Sequence, residues 1–209
     1  MFCLLFIFLL FFSGCSSNNK KETEVNQEVF IGITDDPQAL DPRLIRDTIS
    51  VNVAHMLFEG LMQKNRNGRI IPGLATGVDI SEDKKTYTFH LRNDVYFHDN
   101  EVFPSGKGRK MTAADVVYSF KRIVDPATAS SGAWIFNGHL DSARAFATID
   151  DSTFQLKLLK PFNPILGILS MQYCSIVPHE VVEKYGKDFR RHPCGTGPFV
   201  LKDWEEGMA

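Results

Sequence analysis

The sequence predicts an α/β layer structure. Three observations carry that expectation. Apolar residues recur at strand spacing in some windows and at helix spacing in others, the two kinds of window alternate, and Gly, Pro, Asn and Asp punctuate the joints. With 209 residues, 44% of them apolar and 11% aromatic, the chain can bury one sizeable core or two small ones.

Taken in order, residues 29–33 (Val-Phe-Ile-Gly-Ile) read as a strand, and residues 34–42, with two prolines and three aspartates, as a loop. Asp47 or Thr48 can then cap a helix whose apolar face is Val51, Ala54, Leu57, Phe58 and Leu61, with Gly60 marking its end. Residues 65–68 have turn chemistry. In residues 86–91 Tyr87, Phe89 and Leu91 alternate with Thr86, Thr88 and His90, the pattern of a half-buried strand. Thr112-Ala113-Ala114-Asp115 is a capping box with aspartate in place of the usual glutamate. It opens a helix with Val116, Val117, Phe120 and Ile123 inward, which Asp125-Pro126 stops. Phe154, Leu156 and Leu158 form another alternating strand, broken at Pro161. Residues 173–177 and 199–204 are further strand candidates, and Pro178 and Gly186 bracket a short helix.

Charge excludes one class of function. Lys plus Arg number 23 against 25 acids, a net charge of −2, so there is no broad cationic field for nucleic acid. Lys107, Arg109 and Lys110 cluster in a glycine-containing stretch that reads as a solvated loop.

Residues 1–12 form an unbroken apolar run, shorter than the ~20 residues that span a bilayer but suited to a signal-peptide core. The run ends in Phe12-Ser13-Gly14-Cys15, followed by a polar tract. This resembles a bacterial lipoprotein cleavage site, although Phe12 stands where leucine is usual and no Lys or Arg precedes the run. The resemblance implies a signal peptide over 1–14, lipidation of Cys15, a disordered tether over 15–28, and anchoring of the exported body at the cell membrane, facing the periplasm or the outside. With Cys3 in the leader, only Cys174 and Cys194 remain. An oxidising compartment permits a disulfide between them, and two buried free thiols are the alternative.

Catalytic and metal signatures are lacking. The six histidines form no HxxxH or HExxH pair, and His98-Asp99 would point to opposite faces of a strand. Gly106-Lys107-Gly108 lacks P-loop spacing, Gly195-Thr196-Gly197 lacks the third glycine of a dinucleotide fingerprint, and there is no GxSxG, SxxK or CxxC. The reading is therefore a protein that is not an enzyme, with no metal and no cofactor.

Several segments, in this order and spacing, resemble the bacterial solute-binding proteins of family 5, which serve oligopeptide, dipeptide and nickel ABC importers. They are Leu40-Asp41-Pro42, Leu57-Phe58-Glu59-Gly60-Leu61, the run from Tyr87 to Arg92, Phe97-His98-Asp99, the run from Met111 to Phe120, Val177-Pro178-His179, Tyr185-Gly186 and His192-Pro193-Cys194-Gly195-Thr196-Gly197-Pro198-Phe199. Asn100 stands where glycine is common, residues 103–110 look like a longer loop, and Cys194 replaces a common valine.

The resemblance implies a type II periplasmic-binding-protein fold, a clamshell of two lobes that closes over its ligand. Residues 29–209 would be a partial first lobe, carrying an inserted smaller α+β subdomain at about 49–171, with the second lobe missing. The implied function is capture of oligopeptides, held through their backbones, for ABC permease subunits, by a monomer present here as a truncated N-terminal fragment. A nickel-chelate, haem or cell-wall-peptide carrier of the same fold, or a degenerate lipid-tethered surface protein, are the alternatives. By resemblance the first-lobe strip along the peptide falls at Arg46, Asp47 and Thr48, with Trp134 near the cleft. A solvated, capped helix start and a core aromatic are the respective alternatives.

Overall fold

A computed structural model describes residues 30–141, 144–205 and 207. The expected leader, Cys15 and tether lie outside the described residues. Among the described residues no helix is long and apolar enough to cross a membrane.

Within the compact unit Ile33–Ala209, the loop before the first helix is fixed by a buried charge cluster. Asp41, 1% exposed, accepts from Arg43 Nε at 2.9 Å and from the buried Arg122 at 2.8 Å. Removing either partner of such a buried pair leaves a charge that water cannot reach, which is why the loop holds one position against the helix carrying Arg122. Asp47 then caps α1 (Thr48–Leu57), accepting from the Ser50 N–H at 2.7 Å and the Ser50 hydroxyl at 2.6 Å. The helix ends at Leu57, three residues before the expected stop. Gly60 instead allows a close backbone approach. A Cβ there would press to 3.2 Å from the Leu169 carbonyl oxygen and 3.3 Å from that of Cys174, so a larger residue would need those backbone segments to give by a few tenths of an ångström.

β1 (Met62–Lys64) and β2 (Ile70–Pro72) form a two-stranded antiparallel hairpin. Asn65 Oδ1 accepts from the Asn67 and Arg69 N–H groups at 3.0 Å, and Gly68 supplies the positive φ of 74° that the turn needs. The second sheet is antiparallel, with order β3-β4-β6-β5 from β3 (Ala75–Ile80), β4 (Thr86–Leu91), β5 (Phe146–Asp150) and β6 (Thr153–Lys157). Its register pairs Phe89 with Phe154 and Tyr87 with Leu156, putting the apolar residues of both strands on one face.

That face is covered by α2 (Ala113–Val124), whose Val116, Phe120 and Ile123 are buried. The Phe120 ring meets Phe154 edge-on at 5.4 Å and Phe146 at 5.5 Å, arrangements worth ~0.5–1.5 kcal/mol each beyond area burial. The capping box is present as expected, with the Thr112 N–H donating to Asp115 Oδ2 at 2.9 Å. Asp115 also takes two hydrogen bonds from Arg109, which grips Glu180 on α4 (His179–Tyr185) as well. These contacts, Asp115 foremost and against the cost of burial, raise the Arg109 guanidinium further above its ordinary range. α3 (Ile165–Ile168) is a single turn, and Pro178 and Gly186 bracket α4 as expected.

Three expected strands do not form. Residues 30–33 are unpaired, with Phe30 90% and Ile31 60% exposed. Gln172–Cys174 takes a 3-10 turn, Ser175 forms an isolated bridge to Gly60, and the Ile176 N–H donates to the Glu59 carbonyl at 3.0 Å, with no ladder. Residues 199–204 carry no ladder, and Phe199 and Val200 are more than half exposed. In each case the side-chain pattern suits a strand, but a strand exists only where a neighbour accepts its hydrogen bonds. Cys174 and Cys194 are buried and unbridged in the structure. Burial raises the Cys174 thiol, and burial together with the nearby Glu180 charge pushes Cys194 up to about 12.

Candidate functional site

A groove of 870 Å³ opens beside α1. That volume lies within the roughly 300–1,000 Å³ of small-molecule sites. Val51 and His55, one turn apart on α1, form one wall. Met62, Gln63 and Lys64 of β1 form another, and β1 has a partner strand on one side only. Phe58 and Met171 supply apolar surface, and Thr196 and Pro198 close the far side.

The far wall is held by close backbone packing. The Gly197 N–H donates to the Leu57 carbonyl at 3.0 Å and the Phe199 N–H to that of Met56 at 3.1 Å, so the segment runs along the end of α1. A Cβ on Gly195 would sit 2.2 Å from the Leu57 oxygen, and one on Gly197 2.5 Å from the Met56 oxygen. Both glycines thus serve a close contact with the end of the helix. From the other side, His98 Nε2–H donates to the Gly197 carbonyl at 2.7 Å while Nδ1 accepts from the Gly195 N–H at 3.4 Å, which fixes the tautomer. Thr196, pinned between them, donates to Glu59 Oε2 at 3.0 Å.

Two electrostatic groups occupy the groove. In one, the Arg92 guanidinium pairs with both oxygens of Asp94 at 3.0 Å, and those bonds foremost, with the Glu59 charge adding to them, raise it above its ordinary range. On the α1–β1 side, desolvation first and the Lys64 charge second hold the His55 imidazole below its ordinary range.

The residues expected to contact ligand are placed as follows. Asp47 caps α1. Burial pushes its carboxyl up, but hydrogen bonds from the Ser50 hydroxyl and backbone outweigh this and hold it below the ordinary aspartate range. Arg46 and Thr48 are exposed, and Arg46 Nε donates to Ser131 Oγ at 2.8 Å, tying the start of α1 to the segment that precedes Trp134. Trp134 is 57% exposed and is therefore not a core aromatic. None of the four lines the groove, which begins at Val51, one turn farther along the same helix. Sequence reasoning missed Val51 as a wall residue, and also His55, Lys64 and Met171. The one available signal was that residues 48, 51 and 55 share a helix face.

The family model for "Bacterial extracellular solute-binding proteins, family 5 Middle" matches residues 69–208. This chain belongs to that family. Among curated relatives, the chain is 34% identical over 182 residues to the periplasmic oligopeptide-binding protein OppA of Escherichia coli K12, covering 80% of this chain and 32% of the relative. It is 31% identical over 180 residues to the glutathione-binding protein GsiB of Escherichia coli O1:K1, covering 86% and 33%. Among solved structures, the periplasmic binding protein DppA of Helicobacter pylori, in complex with the peptide STSA, superposes with a TM-score of 0.73 at 30% identity over 82% of this chain and 36% of that one. The fold is accordingly that of a type II periplasmic binding protein, part of its first lobe. The chain spans about a third of the length of the curated relatives it matches.

Proposed function

We propose that this chain supplies the first-lobe wall of a peptide-binding cleft in an exported ABC-importer binding protein. The observation that carries the reading is the groove itself: an apolar floor, polar side chains around it, and β1 with a strand partner on one side only. An extended peptide meets such a wall through backbone hydrogen bonds and leaves its side chains in roomy space, which gives affinity without sequence selectivity. Support comes from relatives named for oligopeptide, dipeptide and glutathione binding.

In this reading a second lobe closes over the groove, Arg46, Thr48 and Trp134 extend the ligand-facing surface beyond it, and Asp47 positions them by capping α1. Residues 49–171, with the four-stranded sheet and α2, constitute the smaller inserted subdomain. Lipid on Cys15 holds the body at the membrane beside its permease.

A thermal-shift screen with mixed tripeptides tests the binding claim. Saturable stabilisation that grows with ligand concentration is expected, since binding to the folded state alone adds RT ln(1 + [L]/Kd). A flat response across the panel refutes it. Palmitate labelling that vanishes in Cys15→Ser is the expected result for the anchor, and labelling that persists refutes that part.

A further inference from the structure

We propose that the groove seats a primary ammonium of its ligand on Glu59, with the Ser175 hydroxyl beside it, so that the first lobe selects for a cationic group. This rests on the peptide-binding reading of the same groove.

Ser175 carries the first observation. The residue is 7% exposed and lines the groove. Among the described residues its hydroxyl has no hydrogen-bond partner, yet the oxygen is not sealed in the core, so it opens on the groove. Polar groups this nearly buried are ordinarily paired, and an unpaired one facing a ligand-sized space is a place for a ligand atom. The backbone fixes where that place is. Ser175 bridges Gly60 in antiparallel fashion, and the Ile176 N–H donates to the Glu59 carbonyl at 3.0 Å. Opposite Ser175, therefore, stands a residue with no side chain to cover the hydroxyl, and next to that residue in the chain is Glu59.

Glu59 supplies the charge. It is half-buried, lines the same groove, and accepts from the Thr196 hydroxyl at 3.0 Å through Oε2. Among the described residues its Oε1 accepts no hydrogen bond, and no Lys, Arg or His forms an ion pair with it. Arg92, which feels the Glu59 charge, has its fork closed on both oxygens of Asp94 at 3.0 Å. Thr196 has given its one hydroxyl proton to Glu59 and keeps lone pairs that can accept. Glu59 Oε1, Thr196 Oγ1 and Ser175 Oγ are thus acceptors on one groove, and a primary ammonium brings three donors and the opposite charge. A guanidinium suits the place less well. Its flat fork wants both oxygens of a carboxylate, and Oε2 is already engaged by Thr196.

The test is calorimetry on the chain with three peptides: a mixed tripeptide with a free amino terminus, its N-acetyl form, and an N-acetyl form carrying one Lys. The free amine is expected to bind about tenfold tighter than the plain acetylated peptide, the scale of one hydrogen-bonded contact to a charged group. That ratio should fall to about one in Glu59→Gln and shrink in Ser175→Ala. A general loosening of the groove would weaken both peptides and leave the ratio as it was, so the ratio separates an ammonium seat from a structural role. Ser175→Ala removes a hydroxyl that holds nothing in the fold and decides the case should Glu59→Gln not fold. An advantage recovered by the Lys-bearing acetylated peptide assigns the ammonium to a side chain instead of the terminus and supports the proposal equally. A ratio unchanged in the variants overturns it. Equal affinity of all three peptides, with binding intact, also overturns the ammonium site and leaves the peptide reading standing. Binding by none of them overturns both.

Discussion

At the scale of single residues, His98 links the interior to the groove. One ring nitrogen donates to Gly197 and the other accepts from Gly195, so the imidazole spans the segment that presents Thr196 to Glu59. Replacing it with Phe keeps the ring but leaves a carbonyl and an N–H without partners. A loss of about 1–3 kcal/mol in urea unfolding is expected. His98→Gln, which keeps a donor toward Gly197, should recover part of that loss. Equal stability of wild type and His98→Phe would show that the bridge contributes nothing. Sequence reading weighed His98 as a metal ligand and set it aside. Its actual partners lie almost a hundred residues away, where no local pattern reaches.

At the scale of elements, legibility followed the reach of the forces involved. β4, α2 and its capping box, and α4 between Pro178 and Gly186 were readable because their determinants are local: alternation, i to i+3 capping, and punctuation by proline and glycine. Residues 30–33, 173–177 and 199–204 were misread because β-structure depends on a partner that the sequence window does not contain. The groove was legible only in part. Its first wall continues the helix whose start was singled out at Arg46, Asp47 and Thr48, but its other walls come from β1, residues 170–175 and residues 196–198. Close packing of the last of these against α1 leads to a sharp expectation for Gly195→Ala. The added methyl would overlap the Leu57 oxygen, a backbone atom that can move only with the helix end, so a melting temperature several degrees lower is expected, together with weaker peptide binding. An unchanged melting temperature would contradict the packing described.

At the scale of the whole molecule, three titrating groups pull stability the same way. Asp47 and Glu180 are held below their ordinary ranges in the fold, in each case by hydrogen bonds that overcome the opposing effect of burial. Their contribution is therefore present above the unfolded carboxylate pKa and is lost as the pH falls through the folded value. His55 is also depressed, so protons favour the unfolded chain once the pH drops below the ordinary histidine value of about 6.5. Stability should decline in two stages on acidification, a shallow one below about pH 6.5 and a steeper one in the carboxylate range. Denaturant midpoints measured across pH check this: His55→Gln should remove the first stage, and a wild-type profile flat from pH 7 to 5 would contradict it.

The most direct test of the central claim is a titration of the ¹⁵N-labelled chain with a mixed tripeptide, followed by amide chemical shifts. The account predicts saturable shifts at Val51, His55, Gln63, Lys64 and Thr196, the walls of the groove. Saturable shifts confined to the outer face of the β3-β4-β6-β5 sheet, or no saturable shifts at all, would contradict it.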